Sequence, residues 1–350
     1  MLTWGNMNHA YNEATMGWNA NSDFSRISHR ARGFSKPHLI GYMESHDEER
    51  LMYRNILYGN VSGNYSTRNI STALDRMKLA AAFLFTVPGP KMLWQFGELG
   101  YDFSINTCPN FTVSPDCRTA NKPVRWDYYS DPDRLRLFKV YSELIKLKIN
   151  HDVFETNDFS LMLNGATKQI MLNHPSMNVL IVGNFDVVNR TMTPLFPRTG
   201  KWYDFFSGDS ITVGTSAQSF SLFPGQFNIY TTVKLPTPEQ GLITSISDNN
   251  VSINPEKFYL AQNYPNPFNP STVISWQLPF ASYVTLKIYD LLGREVATLV
   301  NEEKSMGSYS VTFDASNLSS GLYYYKLVAN PSNVGQTSGF VETRKMMLMK

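Results

Sequence analysis

The sequence predicts a multidomain chain: a partial (β/α)8 TIM barrel, represented by its last strands and helices, followed by two antiparallel β-sandwich domains. Three observations carry this. Residues 1–150 mix apolar strand-like runs with helical periodicity. Beyond His151 the period shortens to alternating runs separated by turn residues, as antiparallel strands require. A Pro- and Gly-bearing stretch, Leu235-Pro236-Thr237-Pro238-Glu239-Gln240-Gly241, then separates these runs from a second set of strands that continues to the end. The expected segments are a barrel part at 1–150, a sandwich at 151–234, a linker at 235–257 and a second, smaller sandwich at 258–350.

Within the first segment, residues 37–43 have the length and apolar character of a buried parallel strand. Side chains just past the carboxyl end of such a strand face the active site of a barrel. The residues found there are Glu44-Ser45-His46-Asp47-Glu48-Glu49-Arg50, so Asp47 is placed for chemistry. Residues 72–83 read as a helix and 87–100 as a proline-entered strand with a Gly-Glu-x-Gly exit. Asp131 caps a further helix with Pro132 in its first turn, and Leu137, Tyr141, Leu144 and Ile145 fall on one face.

The expected strands of the first sandwich are 159–163, 169–172, 179–184, 201–206, 211–213 and 226–230. Those of the second are 272–278, 284–289, 307–313 and 322–329.

The stretch Gly41-Tyr42-Met43-Glu44-Ser45-His46-Asp47 resembles a sequence region of the α-amylase family of glycoside hydrolases (family 13), in which a short strand leads to His-Asp. The run Val87-Pro88-Gly89-Pro90-Lys91-Met92-Leu93-Trp94-Gln95-Phe96-Gly97-Glu98-Leu99-Gly100 is similar to the last barrel strand of that family, and Lys122-Pro123-Val124-Arg125-Trp126-Asp127-Tyr128 to the segment leading into its last helix. The resemblance implies that Asp47 is the transition-state stabiliser and that His46 contacts sugar hydroxyls. A fixed carboxylate favours the oxocarbenium-like state of glycosidic cleavage. A retaining mechanism also needs a nucleophile and a protonated acid. The family carries these on earlier strands. The acids before Glu44 are Glu13 and Asp23, and neither follows a strand-like run. The expectation is therefore a C-terminal part of a secreted α-glucan hydrolase, without turnover of its own, whose first 150 residues are poorly stable alone. Glu44, Glu48 and Glu49 read as structural or solvated, and Glu98 as a brace for the last strand.

From Phe258 onward, Tyr264-Pro265-Asn266-Pro267-Phe268-Asn269-Pro270, Ile288-Tyr289-Asp290-Leu291-Leu292-Gly293-Arg294-Glu295-Val296, Ser320-Gly321-Leu322-Tyr323-Tyr324-Tyr325 and a terminus with Lys345 and Lys350 resemble the C-terminal sorting domain of the type IX, or Por, secretion system of Bacteroidetes-like bacteria. This implies the type IX machinery as a partner and passage through the periplasm to the outer surface or exterior. Two other readings stay open: a non-catalytic surface protein that binds polysaccharide, and a branching or transglycosylating enzyme of the same family.

Composition sets further bounds. At 350 residues the chain can hold two or three cores, and a net charge of +2 indicates no attraction to nucleic acid. No apolar run is long enough for a spanning helix. The two cysteines, Cys108 and Cys117, lie in a Pro-, Asn- and Ser-rich loop, and the expectation in an oxidising compartment is one disulfide rather than free thiols. Closing so short a loop stabilises by about 2 to 3 kcal/mol on the chain-entropy model. Two cysteines without paired histidines make no metal site. No cofactor is expected; calcium, common in the family, would use ligands outside these residues.

Overall fold

A computed structural model describes residues 2–214, 218–243, 258–263, 266–332 and 339–349. The part of the expected linker at 244–257, the motif residues Tyr264 and Pro265, and Lys350 lie outside them. The chain divides into two compact units, Met1–Ile246 and Ser247–Lys350.

The first unit opens with β1 (Thr3–Asn6), which pairs in parallel with β2 (Leu39–Tyr42) in the register Thr3 to Leu39 through Asn6 to Tyr42. A third parallel segment meets β2 on its other side at Lys91. There Pro90 O accepts from Gly41 N at 3.0 Å and Gly41 O from Met92 N at 3.1 Å. The proline-rich run thus contributes a single bridge rather than a long strand, because Pro88 and Pro90 lack the N–H that a ladder needs.

Helices alternate with these segments. α1 (Asn8–Met16) follows β1 and ends at Gly17, whose φ of 83° favours glycine. α2 (Leu51–Tyr58) follows the His46–Asp47 loop, and the hairpin β3 (Val61–Ser62) and β4 (Tyr65–Ser66) leads to α3 (Ile70–Phe85). The Asn69 side chain caps α3 by accepting from Ser71 N and Thr72 N. From Leu79 to Phe85 this helix is buried on every side, the condition of a core helix between layers. α4 (Pro132–Asn150) starts at Asp131, whose carboxylate accepts from Asp133 N at 2.9 Å and Arg134 N at 3.2 Å. It buries Leu137, Val140, Tyr141, Leu144 and Leu147, while Ile145 is partly buried at the edge of that face.

The strands after His151 form an antiparallel sheet ordered β10-β9-β12-β7-β6-β5. They are β5 (Asp158–Met162), β6 (Thr167–His174), β7 (Met177–Asn184), β9 (Gly200–Asp204), β10 (Ser210–Val213) and β12 (Phe227–Thr231). A separate pair, β8 (Arg190–Met192) with β11 (Phe220–Leu222), accompanies the sheet. Period-two alternation sends Val179 and Ile181 to one face, and Leu180 and Val182 to the other. The second face packs with Phe196, Trp202 and Leu222. The first shares one continuous core with α1, α3 and α4. At Gly183 a Cβ would meet Phe83 Cε2 at 2.6 Å and Leu79 Cδ1 at 2.7 Å, so glycine lets α3 approach β7.

Two buried cations join the segments on either side of residue 150. Arg76 donates from Nε to Thr15 O at 2.9 Å, from Nη2 to Ala14 O at 2.6 Å and to Phe185 O, and from Nη1 to Asp186 O at 3.0 Å. The carbonyls of Ala14 and Thr15 are in the last turn of α1, where a cation is favoured. Lys168 donates to the oxygens of Ser22, Leu163 and Gly165 at 2.7 to 2.8 Å, with its Nζ 4.7 Å from the centre of the Phe24 ring.

The second unit consists of two antiparallel sheets. One is ordered β13-β14-β17 and the other β16-β15-β18-β19. The strands are β13 (Tyr259–Leu260), β14 (Ser271–Leu278), β15 (Ser282–Tyr289), β16 (Glu295–Lys304), β17 (Gly307–Asp314), β18 (Gly321–Pro331) and β19 (Phe340–Leu348). Alternate residues, among them Ile274, Trp276, Leu286, Ile288, Tyr325, Leu327 and Met346, meet in one core. The Tyr325 hydroxyl donates to Ala261 O and accepts from Asn263 N, both at 2.7 Å. The Asp290-to-Gly293 turn between β15 and β16 is fixed by the Asp290 carboxylate, which accepts from Leu292 N and Arg294 N at 2.9 Å.

Candidate active site

Because β1, β2 and the Lys91 segment run parallel, their carboxyl ends lie along one edge. Tyr42 ends β2, and four residues on His46 and Asp47 project into solvent with side chains 53% and 69% exposed. His46 Nε2 lies 3.3 Å from Asp47 Oδ2. The His46 ring stands 6.1 Å from Trp4 of β1 and 5.5 Å from Trp94, while Trp4 meets Tyr42 edge to face at 5.6 Å. One aromatic side chain from each of the outer two segments thus flanks the central His-Asp pair.

The loop that carries the pair is bonded on every side. Asp47 N donates to Ser45 Oγ at 3.2 Å. The Glu48 carboxylate accepts from the Ser45 hydroxyl and from the Asn6 side chain at the end of β1. Glu49 accepts from Ser104 Oγ at 2.9 Å and Ile105 N at 2.7 Å, and its carbonyl accepts from Asn8 Nδ2 at 2.9 Å. An Arg118 guanidinium N–H donates to Asp47 O.

Beneath the loop, Glu44 is buried. It accepts from Leu51 N at 2.7 Å, at the start of α2, and faces Arg50 Nη1 at 3.5 Å. Burial raises its pKa, and the Arg50 guanidinium opposes that rise. Arg50 also donates to Gln95 O at 3.0 Å and lies over the Tyr101 ring, which ties this loop to the third segment. Burial, with the Glu48 and Asp47 carboxylates nearby, raises the pKa of the Tyr42 phenol. Burial raises that of Glu98 too. Between Trp94 and Glu98, Phe96 has φ 59°, a left-handed conformation of the kind that persists where its surroundings fix it.

Cys108 and Cys117 are bonded, with Cα atoms 5.0 Å apart. Among the described residues no three His, Cys, Asp or Glu side chains are grouped to hold a metal ion, and no helix is long and apolar enough to cross a membrane.

Chemically, this edge offers an exposed carboxylate and an imidazole beside two indoles. The sequence offers His46 and Asp47 as candidates and gives no role to Trp4, Asn6, Trp94 or Arg118. The strand of Trp4 is four residues without clear alternation, and Arg118 sits in an irregular loop.

Residues 262–337 match the family model described as a secretion system C-terminal sorting domain. A tail of this class indicates secretion through the type IX system to the cell surface or the exterior. No curated protein matches the chain. Among solved structures, the chain is similar to an α-amylase from Geobacillus thermoleovorans complexed with acarbose, at 15% identity and TM-score 0.48, over 64% of this chain and 46% of that one. It is also similar to a γ-CGTase from an alkalophilic Bacillus clarkii, at 13% identity and TM-score 0.47, over 100% of this chain and 49% of that one. A maltogenic α-amylase from Thermotoga neapolitana matches at 13% identity and TM-score 0.45, over 64% and 49%. The chain spans about half the length of these structures. Likeness at this level assigns no activity.

Proposed function

We propose that the first unit is the closing part of an α-amylase-type barrel with its following sandwich, and that its exposed edge binds α-linked glucan. In this reading Asp47 is the transition-state-stabilising carboxylate and His46 a hydroxyl ligand. The second unit, a smaller sandwich, sends the protein out of the cell. The observation that carries the reading is the position of the His46–Asp47 pair, just past the central one of three parallel segments and flanked by Trp4 and Trp94.

Retaining hydrolysis needs two further carboxyl groups in defined roles. Of the acids beside Asp47, Glu44 is bonded to Leu51 N and Arg50, Glu48 to Asn6 and Ser45, and Glu49 to Ser104 and Ile105. Each is thus read as a structural group of the loop. In this reading the edge binds glucan, and Asp47 alone among these acids has a catalytic role.

The test is amide exchange of the full chain with and without maltoheptaose. Protection at residues 42–50 and 92–97 is the expected result. Protection confined to the β5–β12 sheet would favour a surface-binding protein whose sugar site lies elsewhere. No protection anywhere would contradict glucan binding.

A further inference from the structure

We propose that the disulfide-closed loop is the positioning device of the His46–Asp47 segment, with Arg118 as its positioning residue, so that order at the site depends on the oxidation state of Cys108 and Cys117. This deepens the glucan reading by assigning a control to the same site, and it rests on that reading only for its consequence in binding.

The loop is attached to the His46–Asp47 segment at both of its ends. The loop enters through Ser104 and Ile105, which donate to the Glu49 carboxylate at 2.9 and 2.7 Å. It leaves through Arg118, which donates to Asp47 O. Its two stems therefore grip the same three-residue stretch, Asp47 to Glu49, from both ends. Between the stems the backbone pairs Thr107 with Val113, and Asn106 O accepts from Ser114 N at 3.0 Å. Cys108–Cys117 closes the loop immediately before Arg118. Lys122 Nζ spans both stems, donating to Thr107 O at 3.3 Å, Cys117 O at 2.5 Å and Arg118 O at 3.1 Å.

Beyond these bonds, the tip of the loop is mostly solvated. Phe111, Thr112, Val113, Pro115 and Asp116 are exposed, with the Phe111 ring 5.7 Å from that of Phe103, while Ile105, Thr107 and Cys108 of the first stem are buried. The covalent bridge sets the distance between the stems together with the Lys122 bonds and the Thr107–Val113 pairing, and it is the one tie that reduction removes. Arg118 is itself exposed, and a solvated arginine orders a carbonyl only if its own backbone is fixed. An exported chain meets an oxidising compartment, where such a bridge persists. The site is then ordered where the protein works.

The test uses the full chain in three forms: oxidised wild type, wild type reduced with dithiothreitol, and oxidised Arg118→Met. Reduction delivers two electrons to the bridge, leaves each sulfur as a protonated thiol, and turns the reagent into its cyclic disulfide. Amide exchange at residues 45–50 and at Ile105 is expected to rise about tenfold in the second and third forms, as the loss of roughly one hydrogen bond allows. Exchange in the β6–β7 ladder stays unchanged, and Arg118→Lys restores much of the protection. Maltoheptaose affinity is expected to fall about tenfold with Arg118→Met, in step with exchange. Wild-type exchange at 45–50 in the Arg118→Met protein, whose bridge is intact, would overturn the proposal. If oxidised wild type binds no maltoheptaose, the glucan reading fails while the exchange result still decides this one.

Discussion

The ammonium of Lys168 lies 2.8 Å from the carbonyl oxygen of Ser22, a residue 146 positions earlier in the chain. That contact, with the Arg76 contacts to Ala14, Thr15, Phe185 and Asp186, makes the α/β segment and the sheet after it one cooperative body. The sheet covers the face of α3 that would otherwise meet water.

Lys168 should make the stability of the first unit depend on pH. Burial lowers its pKa to about 7, with the Asp23 carboxylate opposing and the Arg76 charge reinforcing that shift. Between that value and the ordinary lysine range, the unfolded chain holds a proton that the folded chain has released. Stability therefore rises with pH across this window, and below it both states are charged and the folded one bears the full desolvation cost. Lys91 and Lys148, also lowered by burial, add with the same sign. Urea midpoints of the first unit should rise between about pH 6.5 and about pH 9, and Lys168→Met should flatten part of that rise. An unchanged slope in the variant would contradict this.

Arg76→Met should destabilise the first unit by about 3 kcal/mol, since it strands buried carbonyls of α1 and of the β7–β8 turn. The second unit should be unaffected. Calorimetry of the full chain checks this, with a lowered first-unit transition as the expected outcome.

Gly183→Ala tests the approach of α3 to β7. The added methyl would sit 2.6 Å from Phe83 Cε2, and relief by shifting the helix should cost about 1–3 kcal/mol. A variant with wild-type Tm would show that Phe83 moves freely, contrary to its burial.

In the second unit, Tyr325→Phe removes the acceptor of Asn263 N and the donor to Ala261 O. A loss of about 1–3 kcal/mol in that unit is expected, the cost of an unsatisfied buried amide. The readout is its own unfolding transition in the full chain.

Much of this molecule is legible in its sequence where chemistry is local. The Asp131-Pro132 start of α4 is written in a cap and a ring, and β14, β15 and β18 in strict alternation. The elements that escaped are those fixed by partners far along the chain. β1 becomes a strand because β2 offers it a ladder. β16 carries four charged residues, Glu295, Glu302, Glu303 and Lys304, that suit an edge and mask its pattern. β19 is similarly charged and also an edge. At the site, His46 and Asp47 follow a readable strand. Trp4 and Arg118 reach them from 42 and 71 residues away, and no local pattern announces either. Glu44 reads from sequence as structural or solvated, and the structure has it buried and bonded to Leu51 N.

Isothermal titration of the full chain with maltoheptaose tests the claim that the edge carrying His46 and Asp47 is a glucan site. Saturable binding is expected, weakened about tenfold or more by Asp47→Ala and by Trp4→Ala, each of which removes a contact of the order of one hydrogen bond or one ring. No reducing ends should accumulate. Absence of binding, or binding untouched by both substitutions in folded protein, would contradict the claim.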